Sequence, residues 1–321
     1  MSTLSNVFIG KTLSFWNEKL KENPNRNKFL ITKLFEILTF KGNCGNISCI
    51  NEYIEFPEPI KNNVTGDTKL CIVIPTFIKS DKDKQDLSNL LQSIKNLSLK
   101  PHKVIVIDDC SPVNFSFPET VLVHSLRQNS GPAKARNIGK RLAIENEADI
   151  IAFTDTDCIL SENWNSIIIK SFLENNNFQI LSGDTPAYDQ SWFGTYHNIN
   201  GTLNGRKFKN TERLLYGTTA NLAITRKVAE HIDFNENFPI AAGEDIEFCF
   251  KANKKGYAIK YIPTMTVFHN FGYNGQLFKN LKRFRQQFKK YGQGEKILLK
   301  EIPNYYAYFD RTEEITTQNG L

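Results

Sequence analysis

Three short apolar runs constrain this chain more than anything else in it: Leu70-Cys71-Ile72-Val73-Ile74, Val104-Ile105-Val106-Ile107 and Ile150-Ile151-Ala152-Phe153. None alternates with polar residues, as strands covered on both faces of a parallel sheet do not. Between the first two, Leu87, Leu90, Leu91 and Ile94 recur at helical spacing. Strand, helix, strand is a βαβ unit, and such crossovers are nearly always right-handed. In sheets of this kind ligands bind beyond the carboxyl ends of the strands. Pro75-Thr76, Asp108-Asp109 and Asp155-Thr156-Asp157 all fall at those ends. Their convergence carries more weight than any one of the three.

On a persisting strand, Asp155 and Asp157 point to the same side. Mg²⁺ and Mn²⁺ take oxygen ligands and usually share one or two carboxylates with a substrate's phosphates. The same pair also describes a solvated acidic turn. Between the second and third runs lies Asn129-Ser130-Gly131-Pro132-Ala133-Lys134-Ala135-Arg136-Asn137-Ile138-Gly139. Gly-Pro followed by good helix formers marks a helix start with proline in its first turn. A helix N-terminus favours anions, and Lys134 and Arg136 add positive charge. Standing alone, the stretch fits a plain helix start equally well.

The chain has 321 residues, 40% of them hydrophobic, with 24 Phe and 11 Tyr, which is ample for a sizeable core. The net charge of +6 suits an anionic ligand or a membrane surface and does not argue for nucleic acid. Six cysteines are scattered without a CxxC pair, as in a reduced chain; Cys44 and Cys49 could bridge only in an oxidising compartment. The opening residues lack the pattern of a secretory signal, and no apolar run approaches the roughly 20 residues that span a bilayer. The expectation is a cytoplasmic protein, soluble or peripheral at the inner membrane face. Residues 1–66 are expected to form a partly helical extension, with an amphipathic helix over Phe29–Leu38 ended by Gly42 and Gly45, and a linker at Asn62–Asp67. Residues 67–300 form the main domain, and 301–321 a tail with a frayed end.

Five motifs stand in a fixed order: Val73-Ile74-Pro75-Thr76-Phe77, Ile107-Asp108-Asp109-Cys110-Ser111, the segment from Asn129 to Gly139, Thr154-Asp155-Thr156-Asp157, and Gly243-Glu244-Asp245. Over residues 69–290 this set resembles the GT-A glycosyltransferases of family 2. The resemblance implies an α/β fold with a mostly parallel central sheet flanked by helices. It also implies a nucleotide-sugar donor, most often a UDP-sugar, held with Mn²⁺ or Mg²⁺. Thr76 and Asp109 would contact the base, with Pro75, Asp108 and Thr156 beside them. Arg136 would lie near the base or pyrophosphate, Asp155 by the ribose and metal, and Asp157 on the metal. Where the pattern has glycine after the paired acids, this chain has Cys110.

The second half carries the acceptor side in this reading. Asp184 to Lys209 has poor periodicity and is expected to be looped, with Trp192 among aromatics suited to sugar faces or to ordinary packing. Asn221 falls in a stretch resembling one at the family's acceptor side. Asp245 is the expected general base, taking the acceptor hydroxyl's proton in an inverting attack. Glu244 is expected to bind acceptor hydroxyls, and the same acids also suit the first turn of a helix. His269 would add a metal or pyrophosphate ligand, and imidazole suits Mn²⁺ better than Mg²⁺. Phe278–Tyr291 reads as a basic amphipathic helix ended by Gly292 and Gly294, able to pack, to add positive charge near the diphosphate or to touch an anionic membrane. Two other readings are a nucleotidyltransferase and a non-catalytic nucleotide-sugar-binding protein. The segment Phe77–Asp81 lacks the glycine-rich loop the first usually carries, and Asp245 argues against the second.

Overall fold

The computed structural model describes residues 13–39, 50–273 and 275–317. Gly42, Gly45, Cys44 and Cys49 lie outside them, as do residues 318–321 of the tail. The elements are α1 (Arg26–Thr39), β1 (Leu70–Thr76), α2 (Asp81–Lys95), β2 (Lys103–Asp108), β3 (Val121–Ser125), α3 (Pro132–Glu145), β4 (Ile150–Phe153), β5 (Cys158–Leu160), α4 (Trp164–Glu174), β6 (Ile180–Asp184) and α5 (Trp192–Asn200). They continue with β7 (Arg206–Phe208), β8 (Leu214–Tyr216), β9 (Leu222–Thr225), α6 (Arg226–His231), α7 (Glu244–Lys254), β10 (Ile259–His269), α8 (Leu277–Glu301), a 3₁₀ segment over Tyr305–Arg311 and β11 (Thr312–Glu314).

The apolar runs form the strands they predict, and alternation along each strand feeds two cores. Ile72, Ile74, Val104 and Val106 pack with Leu87 and Leu90 of α2 and Trp164 and Ile168 of α4. Cys71, Val73, Ile105 and Ile107 face Ala133, Ala135 and Ala143 of α3 and Phe248 and Ala252 of α7. Both faces are therefore covered, which is why the runs carry no polar alternation.

The eight strands lie in the order β3-β2-β1-β4-β9-β6-β10-β5. β1 to β4 are mutually parallel, and β10 runs parallel to β6. β9 is antiparallel to both neighbours, and β5 is antiparallel to β10. The sheet is thus mostly parallel and flanked by helices, as expected. From β1 the order grows through β2 to β3 on one side, and β4 returns to the other. That reversal opens a crevice at the carboxyl ends of β1 and β4, where doubly wound sheets take their ligands.

The N-terminal extension is built into this body. Trp16, Leu20 and Phe29 pack with Phe193 and Tyr196 of α5 and Phe284 and Phe288 of α8. Asn62, at the start of the expected linker, is anchored: its amide donates to the carbonyls of Phe172, Asn175 and Phe178. Beyond α8, β11 pairs with β7 beside β8 in a small second sheet, and Tyr308 stacks on Phe56 at 5.2 Å.

Two expectations need correction. The Asp184–Lys209 stretch contains helix α5, with Ser191 accepting from the Gly194 N–H as its cap. Phe193 to Ile199 are all buried, polar members included, so the helix has no solvent stripe to betray it. Nor do Gly292 and Gly294 end the basic helix, since α8 continues to Glu301. Gly294 is there for close approach: a Cβ at this position would lie 2.0 Å from the Ala242 carbonyl oxygen, just before α7.

Glycine to alanine inside a helix normally gains about 1 kcal/mol. For Gly294→Ala the opposite sign is expected, a loss of about 1–3 kcal/mol from overpacking against Ala242, read from the urea midpoint at constant m-value.

Candidate active site

Four loop ends meet over the β1–β4 crevice, and a buried cation joins two of them. Arg136, on the first turns of α3, is 2% exposed. Its Nη2 donates to Asp155 Oδ1 at 2.9 Å, and its Nη1 to Glu244 Oε1 at 2.7 Å. Burial alone would make Arg136 easier to deprotonate, but Asp155, Glu244 and Asp245 hold it firmly charged. The family resemblance implies a place for Arg136 near a base or pyrophosphate; nothing in the sequence signals this bridge between the β4 turn and the start of α7.

β4 ends at Phe153, so Asp155 and Asp157 sit on the turn before β5 and not on a continuing strand. Their directions diverge: Asp155 faces Arg136, while Asp157 Oδ1 lies 3.3 Å from His269 Nε2. The antiparallel pairing of β5 with β10 makes this contact. Cys158 is registered against His269, and Asn270 N–H donates to the Asp157 carbonyl at 2.8 Å. Burial pushes the Asp157 carboxyl up, against the lowering effect of His269.

Donors of this spacing suit one cation. Two ligands at right angles, each about 2.1 Å from a Mg²⁺-sized ion, lie roughly 3 Å apart. His269 Nδ1 has no hydrogen-bond partner. Cys158 Sγ lies near the pair, but the residue is wholly buried, and burial raises its thiol well above the usual range. A hard oxygen-seeking ion has no use for it. Asp157 and His269 therefore fit a divalent cation, with Asp155 next to them on the same turn.

Thr76 and Asp109 meet at the tips of β1 and β2, where the Asp109 N–H donates to the Thr76 carbonyl at 2.8 Å. Both Asp109 oxygens accept backbone N–H groups, from Ser130 at 2.6 Å and Gly131 at 2.8 Å, tying this tip to the start of α3. Asp108 Oδ1 accepts from Ser111 N–H at 3.1 Å and steadies the turn. Pro75 and Thr156 are half-buried at the crevice. Cys110, exposed, takes φ 60°, the left-handed conformation that explains a glycine in the related pattern.

On the opposite wall, Gly243 at φ 92° opens α7 and sets Glu244 and Asp245 in its first turn. Glu244 is buried, and its Oε2 lacks a partner. Asp245 is half-buried and accepts only its neighbour's N–H, from Ile246 at 2.8 Å. Burial and then the Glu244 charge push Asp245 up to about 7, against the lowering effect of Arg136.

Trp192, at the start of α5, is 48% exposed, and nearby Tyr188 is 58% exposed. Tyr188 N–H donates to the His269 carbonyl at 2.8 Å, which ties this aromatic rim to the candidate metal ligand. Asn221 differs from expectation. It is fully buried, accepts from Trp164 Nε1 at 2.8 Å, and donates to the carbonyls of Asp184 and Met265. It ties α4 to β6 and β10, and its amide hydrogens are both engaged inside the fold. Tyr291 of α8 went unnoticed in the sequence, although Gln287, Tyr291 and Gly294 share one helix face by their spacing.

The sequence model of glycosyl transferase family 2 matches residues 71–233, about half of the chain, and the chain belongs to that family. It is 31% identical over 124 residues to an uncharacterised glycosyltransferase of Rickettsia conorii, a match covering 36% of this chain and 19% of that protein. The chain thus spans about a fifth of the length of that relative. It is 26% identical over 204 residues to the dTDP-rhamnosyl transferase RfbF of Shigella flexneri, covering 58% of this chain and 66% of that one. The fold resembles crystal structures of residues 1–349 of S. aureus TarS, at TM-score 0.50 and 17% identity over 76% of this chain and 72% of that one. TarS has also been crystallised with UDP-GlcNAc, a structure matched at TM-score 0.50, 16% identity, 76% of this chain and 73% of that one.

Arg136→Met is expected to cost about 3–5 kcal/mol, because it leaves Glu244 buried without its cation. The deficit should be largest at alkaline pH. It should shrink as pH falls, when the stranded carboxyls, their affinity for protons now raised, become neutral. Urea unfolding at pH 8 and pH 5 measures both features.

Proposed function

We propose that this chain is a metal-dependent, inverting glycosyltransferase whose donor is a pyrimidine nucleoside-diphosphate sugar, specifically a UDP-sugar. The carrying observation is the pairing of two functions across one crevice: a carboxylate–imidazole pair suited to a divalent cation at Asp157 and His269, and an elevated carboxyl at Asp245 opposite. Family membership supports the donor class. So do the dTDP in the name of one relative and the UDP-GlcNAc bound by a structural neighbour.

In this reading Thr76 and the Asp108–Asp109 tip frame the base, and Asp155 stands by the ribose. Asp157 and His269 hold the cation, Mn²⁺ or Mg²⁺, which when bound stabilises the charge that develops on the departing diphosphate. Asp245 accepts the acceptor hydroxyl's proton as its oxygen bonds to the anomeric carbon and the bond from that carbon to the phosphate oxygen breaks. One attack from the face opposite the leaving group inverts that carbon. Glu244 Oε2, without a partner among the described residues, accepts from an acceptor hydroxyl in this reading. The acceptor is a hydroxyl or similar nucleophile of a glycan, lipid-linked, peptide or small-molecule compound.

No helix among the described residues is long and apolar enough to cross a membrane. The outer face of α8 suits an anionic lipid surface: Leu277 and Phe278 are 61% and 85% exposed, beside Lys279, Lys282, Arg285 and Lys289.

Nucleoside diphosphate release from a panel of nucleotide sugars, with Mn²⁺ or Mg²⁺ titrated, tests the reading. Asp157→Ala should abolish metal stimulation. Asp245→Asn should keep donor binding and lose transfer by about 100-fold or more. A base must be deprotonated, so kcat/KM should rise with pH through about 7 and level off above it. Wild-type turnover by Asp157→Ala would refute the metal assignment, and equal loss of binding and transfer in Asp245→Asn would refute the base. Sedimentation with vesicles containing phosphatidylglycerol should fall on Phe278→Ser and with added salt; no binding to such vesicles would refute the membrane contact.

A further inference from the structure

α8 is clamped to both walls of the crevice. Near its start, Arg283 Nε donates to the carbonyl of Phe271, two residues after His269. Tyr273 on the same strand extension donates to Gln287 Oε1 at 2.8 Å. At the other end, Gly294 lies against the Ala242 carbonyl, two residues before Glu244. The stretch of α8 between these clamps therefore runs from the metal-ligand arm to the base arm. Tyr291 lies within that stretch, one turn before Gly294 and on its face.

The Tyr291 hydroxyl is left with a particular capacity. Gln287 uses its carbonyl to accept from Tyr273 and its amide to donate to Tyr291 Oη, at 2.7 Å. Tyr273 is held in turn by His197 Nε2 at 2.9 Å, and His197 stacks on Phe271 at 4.0 Å. This chain delivers a hydrogen to the Tyr291 oxygen, so the phenol's own hydrogen points elsewhere. The side chain is half-buried. The charges that bear on it, after its burial, are those of Asp245, Asp157 and Asp155, the residues of the two opposing walls.

In the proposed reaction the anomeric carbon is bonded to the diphosphate on the Asp157–His269 side and attacked from the Asp245 side. We propose that the Tyr291 hydroxyl donates a hydrogen bond to an oxygen of the sugar being transferred, making it a determinant of donor-sugar choice. The inference rests on the glycosyltransferase reading. It goes beyond it by assigning a sugar contact to a helix outside the residues that the family model matches.

Titration calorimetry with Mn²⁺ separates the two. The probes are UDP, UDP-GlcNAc, UDP-glucose, UDP-galactose, dTDP and dTDP-rhamnose. In Tyr291→Phe, affinity for the parent nucleoside diphosphate should stay within about twofold. The ratio of affinities, best-bound nucleotide sugar over its parent, should fall about tenfold, as for one lost hydrogen bond. Gln287→Met, which keeps the phenol but frees its orientation, should lower the same ratio by less. An unchanged ratio in Tyr291→Phe, or equal weakening of both ligands, overturns the proposal. Should Tyr291→Phe fail to fold, the ratio in Gln287→Met carries the test alone, and an unchanged value overturns it. No metal-dependent binding of any probe to the wild-type protein would instead overturn the glycosyltransferase reading beneath it.

Discussion

A single buried guanidinium holds the site together. Arg136 spends its two terminal nitrogens on Asp155 and Glu244, so one cation joins the turn after β4 to the start of α7. Three acids surround it, counting Asp245, and the charge does not balance. The imbalance falls on Asp245, which receives no hydrogen bond from Arg136 and sits beside Glu244. Burial first, and then the Glu244 charge, push its carboxyl to about 7, against the lowering effect of Arg136. Shifted titrations of this kind cluster at functional sites.

The sheet divides the labour. Its parallel half, β3-β2-β1-β4, ends in Thr76, Asp109 and Asp155 and opens the crevice at the point where the strand order reverses. Its other half, β9-β6-β10-β5, brings in His269. Asp157 and His269 are far apart in sequence, yet the antiparallel β5–β10 register sets them side by side. The aromatic rim at Tyr188 and Trp192 hangs from the same strand, through the Tyr188 hydrogen bond to His269. α8 touches both arms, Phe271 through Arg283 and the Ala242 carbonyl at Gly294.

The parallel strands were legible because burial on both faces forces a continuous apolar run, a pattern that survives without knowledge of any partner. The start of α3 was legible because Gly131 and Pro132 signal it locally. Helix α5 was not, because His197 and Asn198 are buried with partners supplied by other segments, Tyr273 and Ala187, and a polar residue in a sequence reads as exposed. Gly294 misled for a related reason. Glycine breaks helices on local grounds, but here it answers a neighbour, the Ala242 carbonyl, that lies far away along the chain. Asn221 was read as a ligand contact when its amide is consumed by Trp164, Asp184 and Met265.

By itself the sequence determined the parallel strands β1, β2 and β4, the helix between the first two and the start of α3, because apolar periodicity and turn chemistry are local properties. Tertiary structure alone decided which charge meets which: Arg136 with Glu244, and Asp157 with His269. Those pairings follow from strand register and from helices packed across the sheet. A Coulomb or hydrogen-bond contact depends on distance in space, which sequence separation does not encode.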